Sequence, residues 1–470
     1  MADTALRLPD DIVEWMETAT GGRVTATNRV PGGASREAWF VDVEREGETQ
    51  ELFLRYSRVK PPGDSIFHSL QVEAEVFLAL QDTDVTVPRT IAVHPTDEAM
   101  LAERVSGQTW FSRIRDPEEQ VRTAQDFIRN LAALHRLDPR ELALPSLGPV
   151  KTAREHALDE IANMRRRATR RDGTIDGLVR ISLDWLERNV PDDEGIPVVF
   201  VQGDTGPGNF MYEDGRVTAV VDWELAHFGD PMDDIAWLSL RTVQDTFTHF
   251  PDRLREYEEL SGNRIDVARV WYYRLFAELR LMSNSAGGGG GEDAPPGTAR
   301  EGQPVARDIG NGIIYGMLHR RLTIEALANV VGLALTDTEL PPTPADEPWH
   351  GLYDQVLENL QIIVPRIDDP LAGQWTKGVA RVVKYLKELD AAGRAFAAAD
   401  LAEISVLTGT TPATVAEGRR TLEDAAADGR VAIEGYVAYL WRQVQRDDHL
   451  MRTASGALHD RTWPPLADDP

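Results

Sequence analysis

The stretch from Pro197 to Trp237 constrains the fold more than any other part of the chain. It reads PVVFVQGDTGPGNFMYEDGRVTAVVDWELAHFGDPMDDIAW. Val198–Val201 and Val217–Val221 are short β-branched runs that predict buried strands, and Glu213–Gly215 between them has turn chemistry. The pattern therefore predicts polar loops that follow strands at one edge of a small sheet.

Three polar residues occupy these predicted loops. Asp204 and Asn209 follow the first strand, and Asp222 lies at the end of another. Phosphoryl transfer needs a carboxylate that accepts the proton of a hydroxyl nucleophile, and oxygen ligands that hold Mg²⁺ on the nucleotide phosphates. On its own, a D-x-x-x-x-N pattern favours an ordinary polar turn, which any α/β protein can contain. The joined pattern GD-x₄-N, strand, DWE-x₄-GDP-x₂-D is much more specific and indicates a kinase-type catalytic loop.

The stretch resembles the aminoglycoside phosphotransferase superfamily of small-molecule kinases. VVDWELAHFGDPMDDIAW is especially similar to the branch that includes the kinase domains fused to acyl-CoA dehydrogenases. The resemblance covers roughly the first three quarters of the chain and implies an α+β, protein-kinase-like bilobal fold. Its small lobe would hold a five-stranded antiparallel sheet, and its larger lobe would be mostly helical.

The same resemblance implies ATP and Mg²⁺ as cofactors and a small-molecule hydroxyl as substrate. Asp204 would orient and deprotonate the hydroxyl, while Asn209 and Asp222 would hold Mg²⁺. The chain departs from the family at Gln202, where His is usual. That residue braces the loop by hydrogen bonding, which a Gln amide can also do.

The resemblance further predicts a nucleotide site in the first 105 residues. Glu103 to Val105 matches the hinge whose backbone meets adenine. The Gly-rich loop between the first two strands matches the hairpin that covers the phosphates, although a GG hairpin alone is more often just a turn. The matching residues of that loop are Gly32, Gly33, Ala34 and Ser35.

A basic residue is also expected to grip the α- and β-phosphates. The family has Lys there, and this chain offers Arg55, a suitable substitute because a guanidinium forks well onto phosphate oxygens. Lys60 is the weaker candidate. The helix Ser69–Leu80 should supply the carboxylate that holds Arg55; Glu75 fits the family position best, and Glu73 on another helix face is the runner-up. The alternative is that both glutamates are merely solvated.

Composition limits the partners. The 470 residues carry a formal net charge of -27, which argues against nucleic acids and acidic membranes as generic partners. No apolar run approaches membrane-spanning length, and the absence of cysteine excludes disulfides and thiolate chemistry. We expect a cytoplasmic location.

The order of elements predicts three domains. Residues 1–104 form the small lobe, residues 105–340 form the larger lobe with a flexible Gly/Pro-rich insertion at 283–305, and residues 350–470 form an all-helical C-terminal extension. That extension has a helix-turn-helix cadence, but its acidic balance favours packing or homodimerisation over DNA binding. Its predicted helices are 353–363, 376–392, 398–408, 412–428 and 436–446.

Several functions stay open at this stage. A hydroxyl of a small metabolite, such as a hydroxyacyl-CoA or a hydroxy acid, is the favoured acceptor, and an aminoglycoside antibiotic is the first alternative. A catalytically weak nucleotide-binding module and a regulatory or scaffold protein are the others. His135, Asp230 and Asp234 are interpreted as structural residues.

Overall fold

The structure, a computed structural model, describes residues 7–30, 36–58, 60, 61, 63, 65–170, 172–287, 309–342 and 349–468. Contacts divide them into two units. The sheet unit comprises the described parts of Met1–Glu160, Val190–Tyr273 and Trp463–Pro470. The helical unit comprises the described parts of Ile161–Asn189 and Arg274–Thr462.

Five antiparallel strands form the main sheet of the sheet unit. The strand order is β1-β2-β3-β5-β4, and each neighbouring pair is antiparallel. The predicted five-stranded antiparallel sheet is therefore confirmed. The strands are β1 (Arg23–Val30), β2 (Glu37–Arg45), β3 (Glu48–Ser57), β4 (Thr90–Val93) and β5 (Glu98–Glu103).

Helix α1 (Asp10–Thr20) covers one face of this sheet. Strands alternate their side chains between the two faces, and one face of β2 and β3 is apolar. Its residues, with those of α1 that pack on them, are Ile12, Met16, Trp39, Val41, Val43, Leu52, Leu54 and Tyr56. Arg55 lies between two members of this set, so the alternation directs it to the opposite face.

Helix α2 (Leu70–Leu80) connects β3 to β4 in the chain. Ser69 begins it, because its side chain accepts a hydrogen bond from the Val72 backbone N–H at 3.3 Å. The buried positions include Leu70, Glu73 and Phe77, whose spacing is that of one helical face. A carboxylate on the buried face requires a partner inside the protein.

The remainder of the sheet unit is mostly helical and carries two short β-ladders. Strand β6 pairs with β9, and β7 pairs with β8, so the two predicted strands flanking the polar loops lie in different ladders and not in one sheet. The predicted turn is present, with Asp214 and Gly215 at φ values of 50° and 80°. The helices and strands of this remainder are α3 (Pro117–Arg136), the first part of α4 (Ala153–Ala168), β6 (Val199–Val201), β7 (Phe210–Glu213), β8 (Arg216–Val220), β9 (His227–Gly229), α6 (Pro231–Gln244), α7 (Phe250–Ser261) and the start of α8 (Val267–Gly287).

The helical unit contains the rest of α4 and α8 and all the helices that follow. Helix α8 runs to Gly287, and residues 288–305 of the predicted insertion lie outside the described residues. Over the described ranges, every helix is too short or too polar to span a bilayer. The other helices of the helical unit are α5 (Gly177–Arg188), α9 (Ile309–Val330), α10 (His350–Ile363), α11 (Pro370–Thr408), α12 (Val415–Ala427) and α13 (Ile433–Ser455).

One prediction for the C-terminal helices is wrong. The predicted helices 376–392 and 398–408 form the single helix α11. Gly393 lies between them, but one glycine costs a helix only about 1 kcal/mol relative to alanine. The alanine-rich sequence around it favours continuation of the helix.

Candidate active site

The loop from Gln202 to Asn209 is held by a carboxylate from α6. Asp234 accepts hydrogen bonds from the backbone N–H groups of Gln202 and Gly203, both at 2.9 Å. The Thr205 hydroxyl also donates to it. Asp234 is fully buried, and the Nε2 atom of His135 lies 3.0 Å from its Oδ2. These bonds fix the loop's backbone and use Asp234 and His135 as braces.

Asp204 lies in this loop and is paired with an arginine that the sequence reasoning missed. The Nε atom of Arg241 donates to Asp204 Oδ1 at 2.7 Å, and its Nη2 donates to Oδ2. Arg241 lies two helical turns after Asp234 on α6, on the same face. The Asp–Arg spacing on a helix that follows the catalytic motif is the signal that could have identified it.

Asn209 and Asp222 are brought together by backbone bonds. The Asn209 side-chain amide donates to the Asp204 carbonyl at 2.7 Å, and the Val221 N–H donates to the Asn209 carbonyl at 2.9 Å. Gln202 donates to the Val221 carbonyl at 2.9 Å, so the residue that replaces the family's His ties the two loops together. The three predicted residues Asp204, Asn209 and Asp222 thus lie on directly bonded segments.

Asp222 has an unusual backbone and an unsatisfied oxygen. Its φ of 64° is in the left-handed region, which aspartate tolerates better than most residues. Its Oδ1 is buried and has no hydrogen-bond donor among the described residues, although Arg55 Nη2 lies 3.5 Å away. Glu224 Oε2 is also buried and has no hydrogen-bond donor among the described residues, although Arg36 Nη1 lies 3.6 Å away. Oxygens without donors are suitable ligands for a hard cation, so these residues fit Mg²⁺.

Arg55 projects from β3 toward α2, where Glu73 is its partner. The Nη1 atom of Arg55 contacts Glu73 Oε1, and Arg36 Nη1 lies 2.5 Å from Glu73 Oε2. The prediction that Glu75 holds Arg55 is wrong: Glu75 accepts hydrogen bonds from the backbone and hydroxyl of Ser146. Glu73 lies on the buried face of α2 and Glu75 does not, a distinction that the helical periodicity of the sequence contains.

Electrostatics favour charged forms for this buried pair. Burial alone would lower the pKa of the Arg55 guanidinium, but the carboxylates of Glu73, Asp222 and Glu224 raise it above its ordinary value. Burial raises the pKa of Glu73, against the opposing effect of Arg55 and Arg36. Because two guanidinium groups contact this carboxylate directly, we take it as ionised at neutral pH.

Glu224 differs from its neighbours. Burial, together with the negative charge of Asp222, raises the pKa of Glu224 to about 8. Its position two residues after Asp222 places it beside the expected Mg²⁺ ligands. A bound cation would favour its ionised form.

The remaining predicted nucleotide residues are only partly described. Gly32, Gly33, Ala34 and Ser35 lie outside the described residues. Lys60, the weaker candidate for binding the phosphates, is exposed. At the predicted hinge, the Glu103 N–H donates to the Arg89 carbonyl at 2.8 Å. No described residue accepts a hydrogen bond from the Val105 N–H, which leaves that group available to a base.

One protein family matches this chain over the part that holds the site. The profile of the phosphotransferase enzyme family matches residues 27–270, more than half of the 470 residues. The matched range includes the five strands of the main sheet except the start of β1, both loops and α6.

Curated relatives are similar to about half of the chain. "Acyl-CoA dehydrogenase family member 11" of Rattus norvegicus is 29% identical over 233 residues, which are 44% of this chain and 29% of that protein. "Probable acyl-CoA dehydrogenase IBR3" of Arabidopsis thaliana is 25% identical over 291 residues, 53% of this chain and 34% of that protein. The chain therefore spans about a third or less of the length of these relatives.

Two solved structures illustrate the structural similarity. The choline kinase LicA of Streptococcus pneumoniae has a TM-score of 0.45 and 16% identity, and covers 59% of this chain and 89% of its own. A thermostable mutant of the aminoglycoside phosphotransferase APH(4)-Ia, in complex with ADP and hygromycin B, has a TM-score of 0.43 and 18% identity. It covers 59% of this chain and 91% of its own.

Proposed function

The chain belongs to the phosphotransferase enzyme family, and from that premise we propose that it transfers the terminal phosphoryl group of Mg²⁺-ATP to a hydroxyl of a small metabolite. The observation that carries this proposal is the bonded arrangement of three residues. The Asn209 amide donates to the Asp204 carbonyl, and the residue before Asp222 donates to the Asn209 carbonyl. A base and two Mg²⁺ ligands are the groups that this transfer requires.

Each residue has a distinct role in the proposal. Asp204 orients the acceptor hydroxyl and takes its proton, while Asn209 and Asp222 would hold Mg²⁺ through oxygen atoms. The charge of a cation held by these two residues would neutralise part of the charge of the nucleotide phosphates. Arg55, held by Glu73, binds the phosphates. Most of the rate acceleration comes from positioning and charge stabilisation, since the protein forms no covalent bond.

The nucleotide base would meet the backbone at Glu103 to Val105, and the loop of Gly32, Gly33, Ala34 and Ser35 would cover the phosphates. The free Val105 N–H supports the first of these assignments. The second rests on sequence position.

We further infer that the acceptor is a hydroxy acid or a hydroxyacyl-CoA. The similarity to proteins named as acyl-CoA dehydrogenases supports this class over the aminoglycosides. An aminoglycoside is the alternative, because the acidic chain would attract a polycation.

A cytoplasmic location belongs to the same proposal, as does homodimerisation through the C-terminal helices. Exposed apolar side chains of α10, among them Leu352 and Ile362, support the dimer.

A nucleotide-binding module with weak or absent transfer is the second candidate function. The observation that favours it is Gln202, which stands where the family usually has His. A regulatory or scaffold role that uses nucleotide binding as a sensor belongs to this candidate.

ADP release from Mg²⁺-ATP tests the proposal. The panel of acceptors comprises hydroxy acids, hydroxyacyl-CoA esters and aminoglycosides, with Asp222→Ala as the matched variant. We expect release that depends on one acceptor class and falls at least about a thousandfold in the variant, because it lacks a Mg²⁺ ligand. The melting temperature of the variant checks its fold. Full activity in Asp222→Ala would contradict the assignment of the site, and tight nucleotide binding without any transfer would favour the second candidate.

A further inference from the structure

Arg241 pairs with the proposed catalytic base, and this pair has a consequence for the acceptor. Resting on the proposed function, we propose that Arg241 recognises a free carboxylate on the acceptor. Without an acceptor its guanidinium holds Asp204; when a hydroxy acid binds, it moves to the acceptor carboxylate and leaves Asp204 to take the hydroxyl proton. The acceptor class is thereby a short hydroxy acid, rather than its CoA thioester.

The contact places the guanidinium of Arg241 on both oxygens that the proposed chemistry would use. Both oxygens of Asp204 accept hydrogen bonds from Arg241, from Nε at 2.7 Å and from Nη2. A guanidinium bound in this fork occupies one lone pair on each carboxylate oxygen and stabilises the ionised form. A base must instead offer an oxygen to the acceptor hydroxyl at hydrogen-bond distance. The acceptor hydroxyl must therefore either share Asp204 with Arg241, through the lone pairs that remain, or take the place of Arg241.

The Asp204 carboxylate is less completely buried than the carboxylates of two other ion pairs of the same unit. The side chains of Arg241 and Asp204 are 23% and 12% exposed. Asp230, which caps α6 and pairs with Arg269, is 0% exposed, and Glu73 beside Arg55 is also 0% exposed. A small molecule can therefore approach the partly exposed Asp204 carboxylate, whereas the other two carboxylates are enclosed.

The loop fixes the stem of Arg241 and leaves room near its head. A Cβ atom added at Gly206 would lie 2.6 Å from the Arg241 Cβ, so that position, with φ of 139°, accommodates only glycine. At Gly208 an added Cβ would lie 3.8 Å from Nη1, an ordinary contact distance. The Nη1 atom of Arg241 donates a hydrogen bond to Gln244 Oε1 at 3.4 Å. The base of the side chain is therefore packed by the loop, while the guanidinium is less confined.

Charge favours an acceptor that carries an anion close to its hydroxyl. A carboxylate that enters beside Asp204 and Asp222, in a chain of net charge -27, is repelled unless a cation meets it. Arg241 supplies that cation, and because it already touches the base, the anion it binds must lie within a few bonds of the hydroxyl. The carboxylate of a short hydroxy acid meets this condition, and the phosphates of CoA, beyond the pantetheine arm, do not.

The transfer step balances without another reactant. The acceptor O–H bond breaks and its proton passes to Asp204. The acceptor oxygen forms a bond to the γ-phosphorus while the bond from that phosphorus to the bridging oxygen breaks, and ADP leaves with the bonding electron pair. Arg241 stays on the acceptor carboxylate throughout.

The test compares acceptors that differ only in charge. Short 2-, 3- and 4-hydroxy acids, their neutral amides and their CoA thioesters are assayed by ADP release, and their binding is measured calorimetrically with the non-hydrolysable nucleotide AMP-PNP present. The proteins are wild type, Arg241→Gln, Arg241→Lys and Arg255→Gln. Arg255 is the control, since it forms ion pairs with Asp252 and Asp468 on the surface. Melting curves check the fold of each variant.

We expect the wild type to prefer at least one free acid over its amide and thioester by roughly 10- to 100-fold, the value of a charge-assisted hydrogen bond. Arg241→Gln should reduce this preference to about one, mainly through KM, and Arg241→Lys should restore part of it. Arg255→Gln should retain the full preference.

Three outcomes would overturn the proposal. In the first, acid and amide lose activity equally in Arg241→Gln, as for a merely structural brace. In the second, the wild type prefers the amide, the thioester or an aminoglycoside; the kinase function then stands and the recognition fails. In the third, no free acid binds. Arg241-dependent binding of an acid without transfer to any acceptor would support the recognition and count against the kinase function.

Discussion

The buried carboxylate of Glu73 in the sheet unit and the partly buried carboxylates of Glu423 and Glu325 in the helical unit are stabilised differently. Glu73 in the sheet unit is 0% exposed and contacts two guanidinium groups. In the helical unit, Glu423 packs against Gly177, where an added Cβ would lie 2.2 Å from its Cγ. Burial, with the charge of Asp176, raises the pKa of Glu423 to about 7, and burial raises the pKa of Glu325 to about 7.

The difference follows from the cost of burying a charge. A buried carboxylate either receives close cations or shifts toward its neutral form. Arg55 and Arg36 contact Glu73 and favour its ionised form, and this ion pair fixes the guanidinium of Arg55, the proposed phosphate-binding group. Glu423 and Glu325 of the helical unit instead have pKa values of about 7, and Glu224 of the sheet unit has one of about 8. Close cations, rather than the unit in which a carboxylate lies, therefore decide which form is favoured: Asp400 of the helical unit also contacts two guanidinium groups, those of Arg419 and Arg446.

The largest effect on stability is expected from Glu73→Gln. This change leaves the guanidiniums of Arg55 and Arg36 without their main counter-charge, and removal of one partner from a buried ion pair costs about 3–5 kcal/mol. Urea unfolding of the full chain measures the loss. Nucleotide affinity, measured on the folded protein, should fall as well because Arg55 loses its brace.

Glu75→Gln is the matched control, two residues along the same helix. Glu75 accepts hydrogen bonds from the backbone N–H and the hydroxyl of Ser146, and both bonds are exposed to solvent, so its replacement should change the free energy of unfolding by about 0.5 kcal/mol or less. Equal losses of unfolding free energy in the two variants would show that the buried ion pair of Glu73 contributes no more to stability than the exposed hydrogen bonds of Glu75.

A smaller effect is expected from pH in the helical unit. The pKa of Glu423 is higher in the folded chain than in the unfolded chain, so its protonated form stabilises the fold. That contribution is fully present below the ordinary pKa of glutamate and is lost as the pH rises through about 7. Its size is on the order of 2 kcal/mol.

Thermal unfolding from pH 5 to pH 8 measures this loss, with Glu423→Gln as the comparison. The amide cannot ionise, so the variant should lose less stability across this range than the wild type. Identical pH slopes for the two proteins would contradict the assignment of the titration to Glu423.

The sequence was sufficient for the parts of the fold set by local patterns. The alternation of Trp39, Val41 and Val43 predicts the covered face of the main sheet, and the turn residues Asp214 and Gly215 predict the β7–β8 hairpin. The pairing of β6 with β9 was not predictable in this way, because strand pairing depends on contacts distant in the chain. The unbroken helix α11 differs from the predicted helices 376–392 and 398–408, because the alanine-rich sequence around Gly393 favours a continuous helix.

For the site, the motif residues Asp204, Asn209 and Asp222 were identified from spacing, and their roles remain predictions. Glu73 was ranked second although its spacing from Leu70 and Phe77 places it on the buried face. Arg36 carries no local signal, because its partners Glu73 and Glu224 come from distant parts of the chain. Long-range ion pairs of this kind are visible only in the structure.

The most direct test of the account separates nucleotide binding from transfer in one variant. Asp204→Asn keeps the size of the side chain and the Mg²⁺ ligands but removes the base. Mg²⁺-nucleotide affinity and acceptor-dependent ADP release are measured on the same preparation. The account predicts an affinity close to that of the wild type, with release at least about a thousandfold lower. Undiminished release in Asp204→Asn would contradict the assignment of Asp204 as the base.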